Sequence, residues 1–252
     1  MRTEVLSYQL YSSRGAASLE RELAMLAEAG YDAVEPFDGL YGNLDALHRL
    51  LREAGLAAPS GHFGLTLLEA EFDRAIAIAR RLGITYLVMP YVSPEARPSN
   101  RAGWQAMGER LAAVSARLAG EGLRFAYHNH DFEFRPLPDG SLPIEHVLGA
   151  DLLWEADLAW VVKAGADPVA WLDRYRGRVP LVHVKDIARQ GEALDEDGWA
   201  DVGTGIVGWS TLWSLCRRAG AEIMVAEHDN PSDTARFATT SLHAMAGFAG
   251  RR

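Results

Sequence analysis

The chain has 252 residues, 48% of them hydrophobic and 23% charged, enough for one large domain with a sizeable core and about the length that a (β/α)8 barrel needs. Its formal net charge of −9 argues against nucleic acid or an anionic membrane surface as partner, because both select clustered Lys and Arg. The lone cysteine, Cys216, rules out an internal disulfide, and no apolar run approaches the roughly 18 residues needed to span a bilayer.

The opening Met1-Arg2-Thr3-Glu4 carries no signal-peptide pattern, so a soluble, cytoplasmic protein is expected. In chain order, residues 4–10 read as a first strand. Residues 18–29 follow as an amphipathic helix, with Ser18 as N-cap and Leu19, Leu23 and Leu26 facing inward. A pattern then recurs: a helical segment ends at or near Gly, and a short apolar run follows. Strands are expected at 31–35, 56–59, 84–89, 123–128, 152–155, 179–184 and 222–226. Helices are expected at 69–82, 101–120, 209–219 and 232–249. Gly at a helix end followed by a buried strand is the αβ loop of a parallel sheet. Eight such units favour an α/β fold, a single-domain (β/α)8 TIM barrel over 1–252. The competing doubly wound open sheet lacks a Gly-rich phosphate loop after its first strand, since Ser12-Ser13-Arg14-Gly15 is not GxGxxG. Two long loops, 131–143 and 187–208, interrupt the regularity on the strand C-terminal side, where a barrel covers its substrate. Cys216, in an apolar run, reads as a buried inert thiol.

Barrel enzymes place their chemistry at the C-terminal ends of the strands. Glu35 ends strand 2 and His62 strand 3. His128-Asn129-His130-Asp131 ends strand 5, with Glu133 just beyond. Strand 6 carries Glu155 and Asp157, His183-Val184-Lys185-Asp186 ends strand 7, and Glu227-His228-Asp229 ends strand 8. A divalent ion needs O and N donors from several directions, which such a rim supplies. Each residue also has a plainer reading: Glu35 or Asp157 as a helix cap, Asp229 as the start of the turn Asp229-Asn230-Pro231. Side-chain alternation adds direction. His183 and Lys185 share one strand face and should look into the barrel, with Val182 and Val184 outward. Ala126, His128 and His130 should face the axis, with Phe125 and Tyr127 toward the helices.

These segments resemble the sugar phosphate isomerase/epimerase superfamily with the xylose isomerase-like TIM barrel. The similarity runs through Gln9 to Arg14, Gly30 to Glu35, the YHNHDFEF run Tyr127 to Phe134, Ala156 to Trp160, Gly165 to Pro168, the HVKD run His183 to Asp186, and Val225 to Asp229. The resemblance implies one divalent metal ion (Mn, Co, Mg or Zn) held by Glu, Asp, His and Glu from strands 5 to 8. Asp157, His183 and Glu227 match three of these ligands. His128 stands where the family's epimerases carry the first Glu, which is there also an acid/base residue, and Glu133 offers a replacement carboxylate.

The implied chemistry is proton abstraction next to a carbonyl of a small-molecule sugar or keto-sugar substrate, with a metal-stabilised enediolate. Glu133 and Glu227 are the candidate bases, with Lys185 or His62 assisting. Glu35, His62, His130 and Arg189 are the candidate substrate-binding residues. Return of the proton gives isomerisation or epimerisation; loss of a β-hydroxyl makes the same site an inosose- or keto-sugar dehydratase. An endonuclease IV-like enzyme and a metal-free binding module are further alternatives, and a homo-oligomer is compatible with the sequence.

Overall fold

Short β-branched and aromatic runs become eight parallel strands in a computed structural model, which describes residues 4–251. The barrel strands are β1 (Val5–Gln9), β2 (Ala33–Glu35), β3 (Ser60–His62), β4 (Tyr86–Met89), β5 (Arg124–His128), β6 (Leu153–Asp157), β7 (Leu181–Val184) and β10 (Ile223–Ala226). Their order, β2-β1-β10-β7-β6-β5-β4-β3, is that of a barrel opened between β2 and β3. That seam is closed by three isolated hydrogen bonds: Val34 N–H donates to Ala57 O at 2.9 Å, Ala57 N–H to Asp32 O at 3.5 Å and His62 N–H to Pro36 O at 2.8 Å. No helix among the described residues is long and apolar enough to cross a membrane.

Helices α1 (Leu19–Ala29), α2 (Leu44–Ala54), α4 (Phe72–Leu82), α5 (Arg101–Gly120), α9 (Trp209–Ala219) and α10 (Thr234–Ala249) cover the barrel. The Ser18 hydroxyl caps α1 by accepting the Arg21 N–H, as its sequence position implied. Short helices α3 (Leu65–Glu69), α6 (Pro143–Leu148), α7 (Leu158–Lys163) and α8 (Pro168–Arg174) complete the layer. Two boundaries differ from the sequence reading by more than two residues. The third strand's continuous ladder lies at 60–62, and the expected 56–59 contributes only an isolated parallel bridge of Ala57 to Ala33, because Pro59 has no N–H to extend it, although its carbonyl accepts from Thr85 and Tyr86. The helix expected at 69–82 starts later, as α4 at Phe72, and the short α3 (Leu65–Glu69) precedes it across a break at Ala70-Glu71.

The core has two compartments separated by the sheet. Inside the barrel, Tyr86, Val88, Ala126, Leu181, Ile223 and Val225 form a small apolar plug. Outside it a much larger cluster packs strands on helices and includes Phe125, Tyr127, Val182, Val184, Trp154 and Phe237. The alternation inferred for strands 5 and 7 is therefore the observed one: Ala126 and Leu181 look inward, Phe125, Tyr127, Val182 and Val184 outward. Two residues further along each inward face, the plug ends and polar side chains begin.

Candidate active site

The inward alternation of seven strands, all but β4, delivers a closed ring of polar groups above the plug. Gln9, Glu35, His62, His128, Glu155, Asp157, His183, Lys185 and Glu227 are all buried. Strand register sets their neighbours, with His128 opposite Glu155 and Asp157 opposite His183.

His183 stands at the centre. Its Nδ1 lies 2.9 Å from Glu227 Oε2, and its Nε2 lies 2.8 Å from Glu35 Oε1 and 3.2 Å from Glu155 Oε2. Glu155 Oε2 also meets His62 Nε2 at 2.9 Å and His128 Nδ1 at 3.1 Å. Glu35 Oε1 accepts from Gln9 Nε2 at 2.8 Å. Burial disfavours the charged form of His62, but Glu35 and Glu155 override it and lift its pKa to about 9. Burial opposes ionisation of Glu227 too, yet Lys185 and His183 hold it well below the usual carboxylate range.

Lys185 Nζ donates to Asp229 Oδ1 at 2.6 Å and to Glu227 Oε2 at 3.2 Å, and lies 3.9 Å from Asp157 Oδ2. Its ammonium also sits 4.3 Å from the Trp199 ring centroid and 5.1 Å from that of Trp160. Burial lowers the Lys185 pKa, and the three carboxylates more than restore it, keeping it charged.

Whether this ring suits a cation can be read from its unpaired atoms. Asp157 does cap α7, since Oδ1 accepts the Trp160 N–H at 2.9 Å. Its Oδ2 is buried with no hydrogen-bond partner, as are Glu155 Oε1 and Glu35 Oε2. A buried carboxylate oxygen without a donor is costly. Burial accordingly pushes Asp157 up to about 7 despite Lys185. One ligand atom each from His128, Asp157, His183 and Glu227 lie within 4.8 Å of one another, and the same holds for His62, His128, Glu155 and His183. Mixed imidazole and carboxylate donors at this spacing fit a divalent ion of the Zn or Mn type.

A cavity of about 540 Å³ opens over the ring and is lined by His62, His128, His130, Glu227 and Asp229. Tyr11, Phe37 and Tyr91 give it aromatic walls, and Arg14, Asp38 and Asp197 mark its mouth. The His130 ring packs against Tyr91, Phe132 and Trp160, with Nδ1 buried and unpartnered. Burial, with His128 and Lys185 nearby, keeps it neutral.

Of the residues singled out from sequence, His62, His128, His130, Asp157, His183, Lys185, Glu227 and Glu35 meet at or beside the ring. Two do not. Glu133 is fully buried, with Oε1 accepting from the Tyr127 hydroxyl at 2.6 Å and Oε2 from the His130 N–H at 2.8 Å. Tyr127 faces the helices, so it draws Glu133 away from the axis. Arg189 is exposed on its loop and does not line the cavity. Sequence position puts Glu155 on strand 6 without assigning it a role; standing two residues before Asp157, it shares that inward face, and this spacing is the signal the sequence carries. Asp229, read as a turn residue, pairs with Lys185.

The comparisons with known proteins agree with this architecture. The rhizopine catabolism protein MocC of Rhizobium meliloti is 27% identical over 276 residues, spanning 94% of this chain and 85% of that protein. A sugar phosphate isomerase/epimerase from Parabacteroides distasonis superposes with a TM-score of 0.81 at 22% identity, over 99% of this chain and 95% of that one. The IOLI protein with a bound zinc atom superposes with a TM-score of 0.74 at 14% identity, over 97% of this chain and 98% of its own. The family model of the xylose isomerase-like TIM barrel matches residues 23–245, nearly the whole strand-and-helix succession that builds the ring, and the chain belongs to that family.

Proposed function

We propose that the protein is a divalent-metal-dependent isomerase or epimerase of ketoses or keto-sugars. The observation that carries the reading is the convergence of His128, Asp157, His183 and Glu227 donor atoms within 4.8 Å beneath an open cavity. These four residues would hold the ion. When bound, a divalent ion supplies Lewis-acid polarisation of a carbonyl and its neighbouring hydroxyl oxygen. Zinc in the similar IOLI structure supports Zn beside Mn, Co or Mg as the occupant.

The chain's own groups then move the proton. Glu227 lines the cavity and is kept ionised by Lys185 and His183, the state a general base requires. Lys185, held charged, favours negative charge developing beside Glu227. His62 and His130 line the cavity and supply hydrogen bonds to substrate hydroxyls. Tyr11 and Tyr91 offer ring faces against which a sugar's C–H surface packs.

A dehydratase reading draws on one observation, the His130 ring that lines the cavity, whose ring nitrogen other than the buried Nδ1 would meet a departing hydroxyl. A phosphodiester substrate is opposed by the acidic mouth and the net charge of −9.

The test is metal analysis of protein purified without chelator, joined to a screen of ketoses and keto-inositols with added Mn2+. The wild type should carry one divalent ion per chain and turn over a member of the panel. His183→Ala should lose both ion and turnover. Full retention of either by that variant would defeat the assignment.

A further inference from the structure

The HVKD run contributes His183 and Lys185 to the ring, but its last residue, Asp186, faces elsewhere. Asp186 is buried, and its carboxylate is wrapped by four backbone donors. Oδ1 accepts from Ile187 N–H and Val207 N–H, each at 2.9 Å; Oδ2 accepts from Gly203 N–H at 2.9 Å and Gly205 N–H at 3.1 Å. Three of these donors lie 17 to 21 residues away, so one side chain ties together both roots of the loop expected from sequence at 187–208.

That loop is not irregular. It begins with a two-stranded antiparallel ribbon of β8 (Asp186–Ile187) and β9 (Trp199–Ala200), pairing Ile187 with Trp199. The pairing sets the Trp199 ring over the Lys185 ammonium. On the other root, Val207 leads into α9, where the Trp209 indole N–H donates to the Lys185 carbonyl at 2.9 Å. Lys185 is thus covered at its ammonium and pinned at its backbone by two tryptophans that both hang from the segment Asp186 binds. The fit is close: a Cβ on Gly205 would stand 2.3 Å from Asp186 Oδ1 and from the Ile187 carbonyl. A second tether, Arg236 to Asp201 and Glu196, holds the outer part of the loop on α10.

We propose that Asp186 is a positioning residue for the site: its carboxylate locks the loop roots so that Trp199 and Trp209 keep the Lys185 ammonium in place and out of water. The inference does not depend on which reaction the site performs.

The chain has only two lysines, Lys163 and Lys185. Lys163 is exposed and lies on the same Trp160 and Trp199 rings. Displacing Trp199 would change the surroundings of Lys163 as well, so labelling of the full chain with acetic anhydride, read residue by residue by mass spectrometry, is followed as the modified fraction of Lys185 itself. Asp186→Asn presents one acceptor oxygen and an NH2 group, so two of the four N–H donors lose their acceptor. The initial rate of Lys185 labelling should rise at least about tenfold in this variant. Amide exchange at Gly203, Gly205 and Val207 should accelerate by a similar factor, while exchange in β4 to β6 stays as in the wild type. Gly205→Ala disturbs the same clasp from its other partner and should give the same pattern. An unchanged Lys185 labelling rate with unchanged loop exchange overturns the proposal. So does acceleration of the whole barrel together, or failure of both variants to fold, since either outcome makes Asp186 a residue of global stability.

Discussion

Replacing Lys185 by Met tests how the buried charges of the ring are balanced. Met retains the length of the aliphatic stem against Trp160 and Trp199 but removes the ammonium. It leaves Glu227 and Asp157, whose side chains are 7% and 0% exposed, without the cation they face. Asp229, 29% exposed, is screened by water and adds little to the cost. Removing one partner of a buried pair costs about 3–5 kcal/mol. A domain of this size loses roughly 2–4 °C in Tm per kcal/mol, so Tm should fall by roughly 6–20 °C in the presence of a chelator. Saturating Mn2+ neutralises the same carboxylates from the other side, so the gap between variant and wild type should shrink to less than about half. Thermal unfolding at pH 7.5, in EDTA and in Mn2+, reads both quantities. A Tm within about 2 °C of wild type in EDTA, or a gap that ignores the metal, would refute this account of the charge balance.

Other perturbations probe separate parts of the structure. Burial pushes the Glu133 carboxyl up to about 7 from an ordinary 4.5. The folded protein therefore holds a proton there that the unfolded chain has released. The stability this contributes is complete below about pH 4.5 and is lost as pH rises through 7, by about 3 kcal/mol in all. Glu133→Gln keeps one donor for Tyr127 and one acceptor for the His130 N–H, so its stability should decline less than wild type between pH 5 and 8, as followed by urea midpoints. Parallel curves for the two proteins would show that Glu133 does not titrate in that range. The same variant should keep activity within about tenfold of wild type, because Glu133 lies off the ring. Gly108 sits in α5 where a Cβ would meet the His146 carbonyl at 2.4 Å. Gly108→Ala should lower stability by about 1–3 kcal/mol in chemical unfolding through forced separation of α5 and α6, and an unchanged midpoint would show that this contact yields easily.

Local pattern was enough for much of this. Glycine-ended helices followed by apolar runs announced the parallel strands, and the alternation at Val182-His183-Val184-Lys185 told which side chains enter the barrel. The rule failed where one residue had two demands on it or a partner arrived from far away. Pro59 extends the chain but cannot donate, so the third strand starts after it. Glu133 lies near His130 in sequence, yet the Tyr127 hydroxyl takes its carboxylate to the helix side. Asp157 was open to reading as a cap or as a ligand, and it is a cap on one oxygen with the other left over.

What the sequence determined by itself is what a few neighbouring residues decide: the strand and helix succession, and which side chains point inward. Which inward residues touch was decided by the tertiary structure. Closing eight strands sets Glu35 from β2 against His183 from β7, 148 residues apart, and sets Glu155 within reach of three imidazoles. It also folds residues 203–207 back onto Asp186. The physical reason is that strand register and barrel closure are long-range properties, fixed by hydrogen bonds between strands, while periodicity reports only the direction of each side chain along its own strand.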